Sequence, residues 1–429
     1  MPAASDCIVV GGGLAGLACA RELLRRGRSV RLVEAAADVG GRVATDTVEG
    51  FRIDRGFQVY LDAYPEGRRQ LDLAALRLGS FEPGALVAEG SRLRRVTDPW
   101  RRPLAAVRSL VDGTVGPADA LRVARLRGDV LARLARGAID PDAAGPADER
   151  TTRALLAARG FSAGFLTTFF EPFFGGVFLE RGLDTAETIF SFTFAMFARG
   201  RACLPAGGMG AIPHQLASSI PAESLFLATP ARAVEAGAVH LADGRTLSGR
   251  AVVVATDAAA AGRLLPAHLL PGAVERGVKR ARLVAFAAER SPLDAPTLVV
   301  SADGGVPIDN LTVPSDVAAG YAPPGAALVT VSVRPDWAAD DATVVADVLR
   351  QARGWFGATV ERWRPLRIVH VDRALPDESP SARRLRPRGP RLADGLFVCG
   401  DHVTSASING ALVGGRRAAE AVEAALAAR

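Results

Sequence analysis

Two kinds of apolar pattern alternate along the chain, short unbroken runs and stripes at helical spacing. Cys7-Ile8-Val9-Val10 reads as a buried strand, followed by a glycine turn and a Leu/Ala/Arg stretch with helical periodicity. Val30-Arg31-Leu32-Val33 predicts a second strand ending in Glu34. Residues 50–57 alternate as a short strand pair closing in a turn. Pro117, with Ala, Leu and Val at helical intervals behind it, predicts an amphipathic helix to about Leu134. The Asp-, Pro-, Ala- and Gly-rich stretch 139–150 predicts a loop. Ile212, Leu216 and Ile220 share one helical face, and short β patterns follow at 234–241 with Asp243-Gly244 as a hairpin turn. A buried strand is predicted at 251–256. Residues 283–288, 297–300, 327–333 and 366–371 predict the strands of a second sheet, interrupted by a helix at 342–355. The last strand runs to Cys399-Gly400-Asp401, and a helix through about Ala425 ends the chain.

The first turn carries chemistry. Gly11-Gly12-Gly13-Leu14-Ala15-Gly16 is a G-x-G-x-x-G run between a strand and a helix, with an acid, Glu34, at the end of the next strand. Gly11 permits the tight turn, Gly13 lets backbone approach a pyrophosphate, and Gly16 lets helix and strand pack closely. The helix start then offers unpaired N–H groups and a positive dipole end to phosphates. Glu34 is placed to accept hydrogen bonds from a ribose.

Composition narrows the class. The chain has 429 residues, enough for two domains, and a formal charge of +6. Of its 52 basic residues only Lys279 is a lysine. Cys7, Cys19, Cys203 and Cys399 form no C-x-x-C pair and no metal spacing, as expected of reduced cysteines in a cytoplasmic protein. The five histidines are too scattered for a local metal motif. No apolar run reaches transmembrane length. Residues 91–136 hold eleven arginines against four aspartates, a local surplus of seven. That segment is a candidate for peripheral contact with an anionic membrane, set against the blander reading of a solvated face. Nucleic acid is not expected, because no aromatic interleaving or recognition motif accompanies the charge. Eleven of the eighteen phenylalanines fall between Phe161 and Phe197. Phenylalanine has no polar atom to satisfy, so part of this cluster is expected to line an apolar substrate cavity, with Phe170, Phe174 and Phe194 as the candidates.

Glu34, five residues, then Gly40-Gly41-Arg42 resembles the flavoprotein superfamily of amine oxidases, phytoene desaturases and protoporphyrinogen oxidases. The blocks Pro205-Ala206-Gly207-Gly208-Met209, Phe169-Phe170-Glu171-Pro172-Phe173-Phe174-Gly175-Gly176, and Gly400-Asp401 with Asn409-Gly410-Ala411 carry the same resemblance. It implies an α/β fold. A Rossmann-type, glutathione-reductase-like FAD-binding domain would comprise 1–60, 201–265 and 385–429. An inserted α+β substrate domain would comprise 61–200 and 266–384. It implies FAD, expected to be non-covalent, on Gly11, Gly13, Gly16, Glu34, Gly40, Gly41, Arg42, Gly400, Asp401, Gly410 and Ala411. In the family the arginine approaches the pyrophosphate and the aspartate takes a hydrogen bond from the ribityl chain.

With one dinucleotide fingerprint and no redox dithiol, hydride is expected to pass from a largely apolar small molecule to FAD. Oxygen or a quinone-type acceptor would then reoxidise it, as in a phytoene desaturase-like enzyme. A flavin amine oxidase using oxygen and a non-catalytic FAD-binding scaffold are the alternatives. Many amine oxidases place a lysine near flavin N5. Aligning the strand puts Leu283 there, with Lys279 four residues short, and Ser407 and Ile408 stand where an aromatic residue is common. No catalytic acid or base is assigned. His402 is the one histidine expected near the flavin.

Overall fold

The unbroken apolar runs form strands buried on both faces. In the computed structural model, which describes residues 5–104, 115–270 and 277–428, Ser5–Val10 lies between Val30–Val33 and the second half of Thr246–Val254, all parallel. Leu225–Phe226 extends this order outside Val30–Val33, and Leu396–Val398 pairs parallel on the far side of Thr246–Val254. Cys7 and Val9 face one side of the sheet and Ile8 and Val10 the other, and each pair joins a separate apolar cluster. Such two-sided burial explains why these strands show no polar alternation.

One face is covered by the helices Leu14–Arg25 and Ile408–Ala427. Their backbones touch: a Cβ on Gly415 would collide with the Ala15 carbonyl. The other face carries the antiparallel strands Ala231–Glu235 and Ala238–Leu241 and the helix Ala258–Leu264. Asp243-Gly244 turns the chain from Ala238–Leu241 into Thr246–Val254.

A second sheet runs in the order Arg364–Pro376, Val278–Ala288, Ala327–Val333, Ile308–Thr312, Val299–Ser301, Gly84–Glu89, Arg92–Thr97. Residues 327–333 form a strand at the expected bounds, while 283–288 is the C-terminal half of Val278–Ala288 and 366–371 lies within Arg364–Pro376. The expected helix is Asp341–Phe356. It is capped by Asp340, which accepts from Thr343 N–H, and buries Val344, Val348 and Ala352 against the sheet. The hairpin of Gly84–Glu89 and Arg92–Thr97 was not expected. Its second strand lies in the Arg-rich segment, where the charges hide its alternation.

The Phe-rich region is helical apart from the connection at 179–186: Ala163–Phe165, a π-helical turn Leu166–Phe170, Glu171–Phe178 and Glu187–Arg199. The amphipathic helix Pro117–Ala135 packs on Glu187–Arg199 through Leu126 and Val130. Within the Arg-rich segment, residues 105–114, with Arg108 and Asp112, lie outside the described residues. The helix after the Pro205 block is shorter than expected. It ends at Ala217, leaving Ile220 buried beyond it.

Candidate active site

At the carboxyl end of Ser5–Val10 the strand order reverses, since the chain goes to Val30–Val33 on one side and returns at Thr246–Val254 on the other. Open α/β sheets bind ligands at such a point. A cleft of about 900 Å³ begins there and continues between the second sheet and the Phe-rich helices.

Its inner end is built from backbone. Gly11 has φ +114°, and a Cβ on it would sit 2.8 Å from the Ala255 carbonyl oxygen. A Cβ on Gly16 would strike the Gly11 carbonyl. Gly13 differs, because a Cβ there would meet nothing within 4 Å and would project into the cleft. Gly13 is also the N-cap of Leu14–Arg25, with no side chain to bond the first-turn N–H groups and no acid in that turn. Those groups face the cleft uncapped, as an anion site requires. Glu34 lines the cleft with both oxygens held, one by Gly12 N–H at 2.6 Å and one by Ala36 N–H at 2.8 Å. Its remaining lone pairs are presented in a fixed orientation. Gly40 N–H bonds the Gly12 carbonyl, which brings Gly40 and Gly41 against the same turn.

Arg42 donates to Asp401 at 2.6 Å and to the Ala374 carbonyl at 3.0 Å. Burial alone would raise the Asp401 pKa, but the Arg42 charge and hydrogen bond outweigh it and hold the carboxyl below its usual range. A carboxylate depressed in this way stabilises the fold above its unfolded pKa, and loses that contribution as pH falls through the folded one. Arg42→Met therefore should destabilise the flavin-free chain at pH 7. The expected loss is about 2–3 kcal/mol, less than for a fully buried pair because Arg42 is about one-third exposed. Melts repeated at falling pH should show the deficit shrink as Asp401 takes up a proton. A deficit unchanged with pH would mean that the pair is not the cause.

The C-terminal helix supplies a second N-terminus. Ser407 caps it by accepting from Gly410 N–H at 2.9 Å, which leaves the Ile408 and Asn409 N–H groups unpaired within the helix. The loop before it is pinned from behind. Asp142 accepts both N–H and O–H of Ser405, and Glu378 accepts Ala406 N–H at 2.5 Å. Behind them, Arg386 pairs with Glu378 and Arg383 with Glu149, both almost fully buried. Burial pushes Glu378 up to about 7 against the attraction of Arg386. Asp142 and Glu378 lie far from residue 405 in sequence, and no local pattern marked them.

Of the residues expected at the cofactor, Gly11, Gly13, Glu34, Gly40, Gly41, Arg42, Gly400, Asp401 and Ala411 line the cleft. Gly16 and Gly410 do not. They permit close packing, since a Cβ on Gly410 would collide with the Ser405 carbonyl. His402 is buried under Gly400 and does not line the cleft either. The phenylalanine candidates need correction. Phe170 and Phe174 are 1% and 2% exposed and pack at steep angles against Phe190 inside the helical core. Phe194 packs beside them, away from the cleft. The aromatic wall is instead Phe57, Phe178, Phe192 and Phe197, together with Tyr64. Leu283 lines the cleft, whereas Lys279 is paired with Glu180. Among the described residues no cluster of His, Cys, Asp and Glu has a metal-holding arrangement.

Comparison with known proteins agrees with this geometry. The family profile described as flavin containing amine oxidoreductase matches residues 14–423. The chain is 26% identical to a coproporphyrinogen III oxidase of Propionibacterium freudenreichii subsp. freudenreichii, covering 87% of this chain and 80% of that one. A phytoene dehydrogenase of Streptomyces griseus is 39% identical over 28% of this chain and 24% of its own. In fold, the chain resembles putrescine oxidase bound to putrescine, with TM-score 0.75 and 16% identity over 98% of this chain and 99% of that one. Cyclohexylamine oxidase from Brevibacterium oxydans is similar at TM-score 0.70 and 18% identity, over 99% of this chain and 100% of that one.

Proposed function

Because the chain belongs to the flavin containing amine oxidoreductase family, and is thereby an FAD-dependent oxidoreductase, we propose that it takes hydride from a C–H bond of a largely apolar substrate while a proton leaves the neighbouring atom, so that a C–C or C–N single bond becomes a double bond, in the manner of a desaturase. The observation that carries this reading is the aromatic wall of Phe57, Phe178, Phe192 and Phe197, which adjoins the glycine cradle within one cleft. Such a wall accepts an apolar ligand without leaving polar groups unpaired, and it keeps water from the reacting atoms. Bound FAD supplies the hydride acceptor.

The chain's own part is binding and orientation. The open N-terminus of Leu14–Arg25 would hold phosphate, Glu34 would hold a ribose, and Arg42 and Asp401 would hold the span between the two ends. The N-terminus of Ile408–Ala427, with Ile408 lining the cleft, would stabilise negative charge that develops beside it. No cysteine lines the cleft, which supports non-covalent attachment. Leu283 in the wall, with Lys279 engaged by Glu180, supports the desaturase-like reading over a lysine-assisted amine oxidase.

The amine oxidase reading keeps one observation in its favour. Tyr64 and Phe192 both line the cleft and stand nearly parallel, with ring centroids 6.3 Å apart. Anaerobic titration of the yellow protein separates the two. Polyenes or porphyrinogens should bleach the flavin within a turnover, and aliphatic amines should not. Bleaching by amines alone, with peroxide released on admitting oxygen, would reverse the assignment. The reoxidant, oxygen or a quinone, is read from the same cuvette after bleaching.

A further inference from the structure

Five large apolar side chains are exposed among the described residues, and three of them, Trp100, Leu104 and Leu121, sit in the Arg-rich segment at 46%, 88% and 52% exposure. Trp100 adjoins the helix Pro117–Ala135 that carries Leu121. The Arg127 guanidinium lies over the Trp100 ring at 4.6 Å. Leu121 is six residues earlier on the same helix, about 9 Å along its axis. Leu104 is four residues beyond Trp100, within about 14 Å of it.

The helix Pro117–Ala135 turns Leu126 and Val130 inward. Its outward row therefore runs Ala118, Leu121, Arg125, Gly128, Ala132, with Arg136 just past the end, and contains no acid. Arg125 and Arg136 are exposed and have no acidic partner among the described residues. A solvated helix face does not need an exposed leucine in that row, nor a tryptophan and a leucine beside it.

We propose that this surface docks the enzyme on an anionic phospholipid membrane. Trp100, Leu104 and Leu121 would enter the headgroup–acyl boundary, and Arg125 and Arg136 would lie against the lipid phosphates. Apolar side chains that insert, flanked by cations, are what an anionic interface selects, and the nearest acids, Asp98 and Asp129, are paired with Arg101 and Arg159. An acidic protein groove would match the charge but would give the 88% exposed Leu104 no apolar surroundings. Among the described residues no helix is long and apolar enough to cross a membrane, so the contact is peripheral.

The surface also connects to the cleft. Arg101 and Arg127 both donate to the Ala198 carbonyl, and Arg101 also to that of Phe197, whose ring lines the aromatic wall. Docking stands on the surface itself and not on the substrate reading, so each can fail alone.

The test is co-sedimentation of the full flavin-loaded chain with phosphatidylcholine vesicles, with and without about one-third phosphatidylglycerol. Wild type should bind the anionic vesicles at low salt, bind the neutral ones at least tenfold more weakly, and be released at high ionic strength. Leu104→Gln with Leu121→Gln should lower anionic binding about tenfold while flavin content and melting stay unchanged. Arg125→Glu with Arg136→Glu should lower it as much and flatten the salt dependence. Absence of wild-type binding, or sedimentation of the leucine variant equal to wild type, would overturn the proposal. So would self-association in gel filtration that the leucine variant abolishes, because the patch would then be a contact between copies. If the leucine pair impairs folding, Arg125→Glu alone decides, since that side chain has no partner within the described structure.

Discussion

Gly13→Val will give a protein that folds and is colourless. Most glycines of the first turn cannot report on binding, because their replacement breaks the fold first. A side chain on Gly11 or Gly16 runs into backbone, at Ala255 and at Gly11 respectively. At Gly13 the backbone is extended, φ −74° and ψ 177°, a conformation valine adopts readily, and its Cβ points into open space. The fold should lose no more than an N-cap change costs, about 1 kcal/mol. The added methyl groups, however, stand over the uncapped N–H groups that would take the pyrophosphate. Affinity for FAD should fall by more than about a hundredfold, beyond the few kcal/mol of one lost hydrogen bond, because several donors are covered at once. Dialysis followed by absorbance and a thermal melt checks both halves. Glu34→Ala calibrates the result, with an expected loss of about 1–3 kcal/mol in FAD binding. Full flavin retention by Gly13→Val would place the cofactor elsewhere.

The contrast between Gly13 and the phenylalanines shows where the sequence was legible. The glycine turn is a local device. Strand, turn, helix and acid are contiguous, so spacing alone states what the backbone must do, and Gly11, Gly13 and Glu34 line the cleft while Gly16 packs behind it. The other expected residues that line it, Gly40, Gly41, Arg42, Gly400, Asp401 and Ala411, came from the family resemblance. The strand at 327–333 and the helix at 341–356 were legible for a similar reason, since each period is complete within one segment. The Phe-rich helices offered no such handle. Residues 170, 174 and 178 fall on one helical row, yet the first two are core and only the last reaches the cleft. Both environments are apolar, so the pattern that predicts burial cannot say against what. The pins behind Ser405 and Ala406 were illegible for another reason. Asp142 belongs to a stretch that reads as a plain loop and Glu378 follows a long strand, and only the folded chain brings them to the C-terminal helix.

That division gives the second large effect. Phe174→Ala should cost about 3–5 kcal/mol of stability, since its ring is 2% exposed and packs on Phe170, Phe178 and Phe190. The folded fraction should then turn over with an almost unchanged KM, because no atom that meets ligand has been removed. Phe197→Ala should show the opposite balance. Its ring touches Phe173 on one side and the cleft on the other, and it is only partly buried. Its removal forfeits less packing within the protein. What it loses is apolar contact with the substrate, about 1.5–3 kcal/mol, or roughly ten- to a hundredfold in KM where KM tracks affinity. Phe192→Ala should show both losses, since its ring is buried and also lines the cleft, and its near-parallel partner Tyr64 makes it the sharper probe of an amine pocket. Denaturant midpoints, flavin retention and steady-state kinetics on the same preparations separate the two classes. Should Phe197→Ala and Phe192→Ala fold and turn over like wild type while Phe174→Ala merely unfolds, the wall does not meet the substrate. The desaturase-like reading would then rest on Leu283 and Lys279 alone.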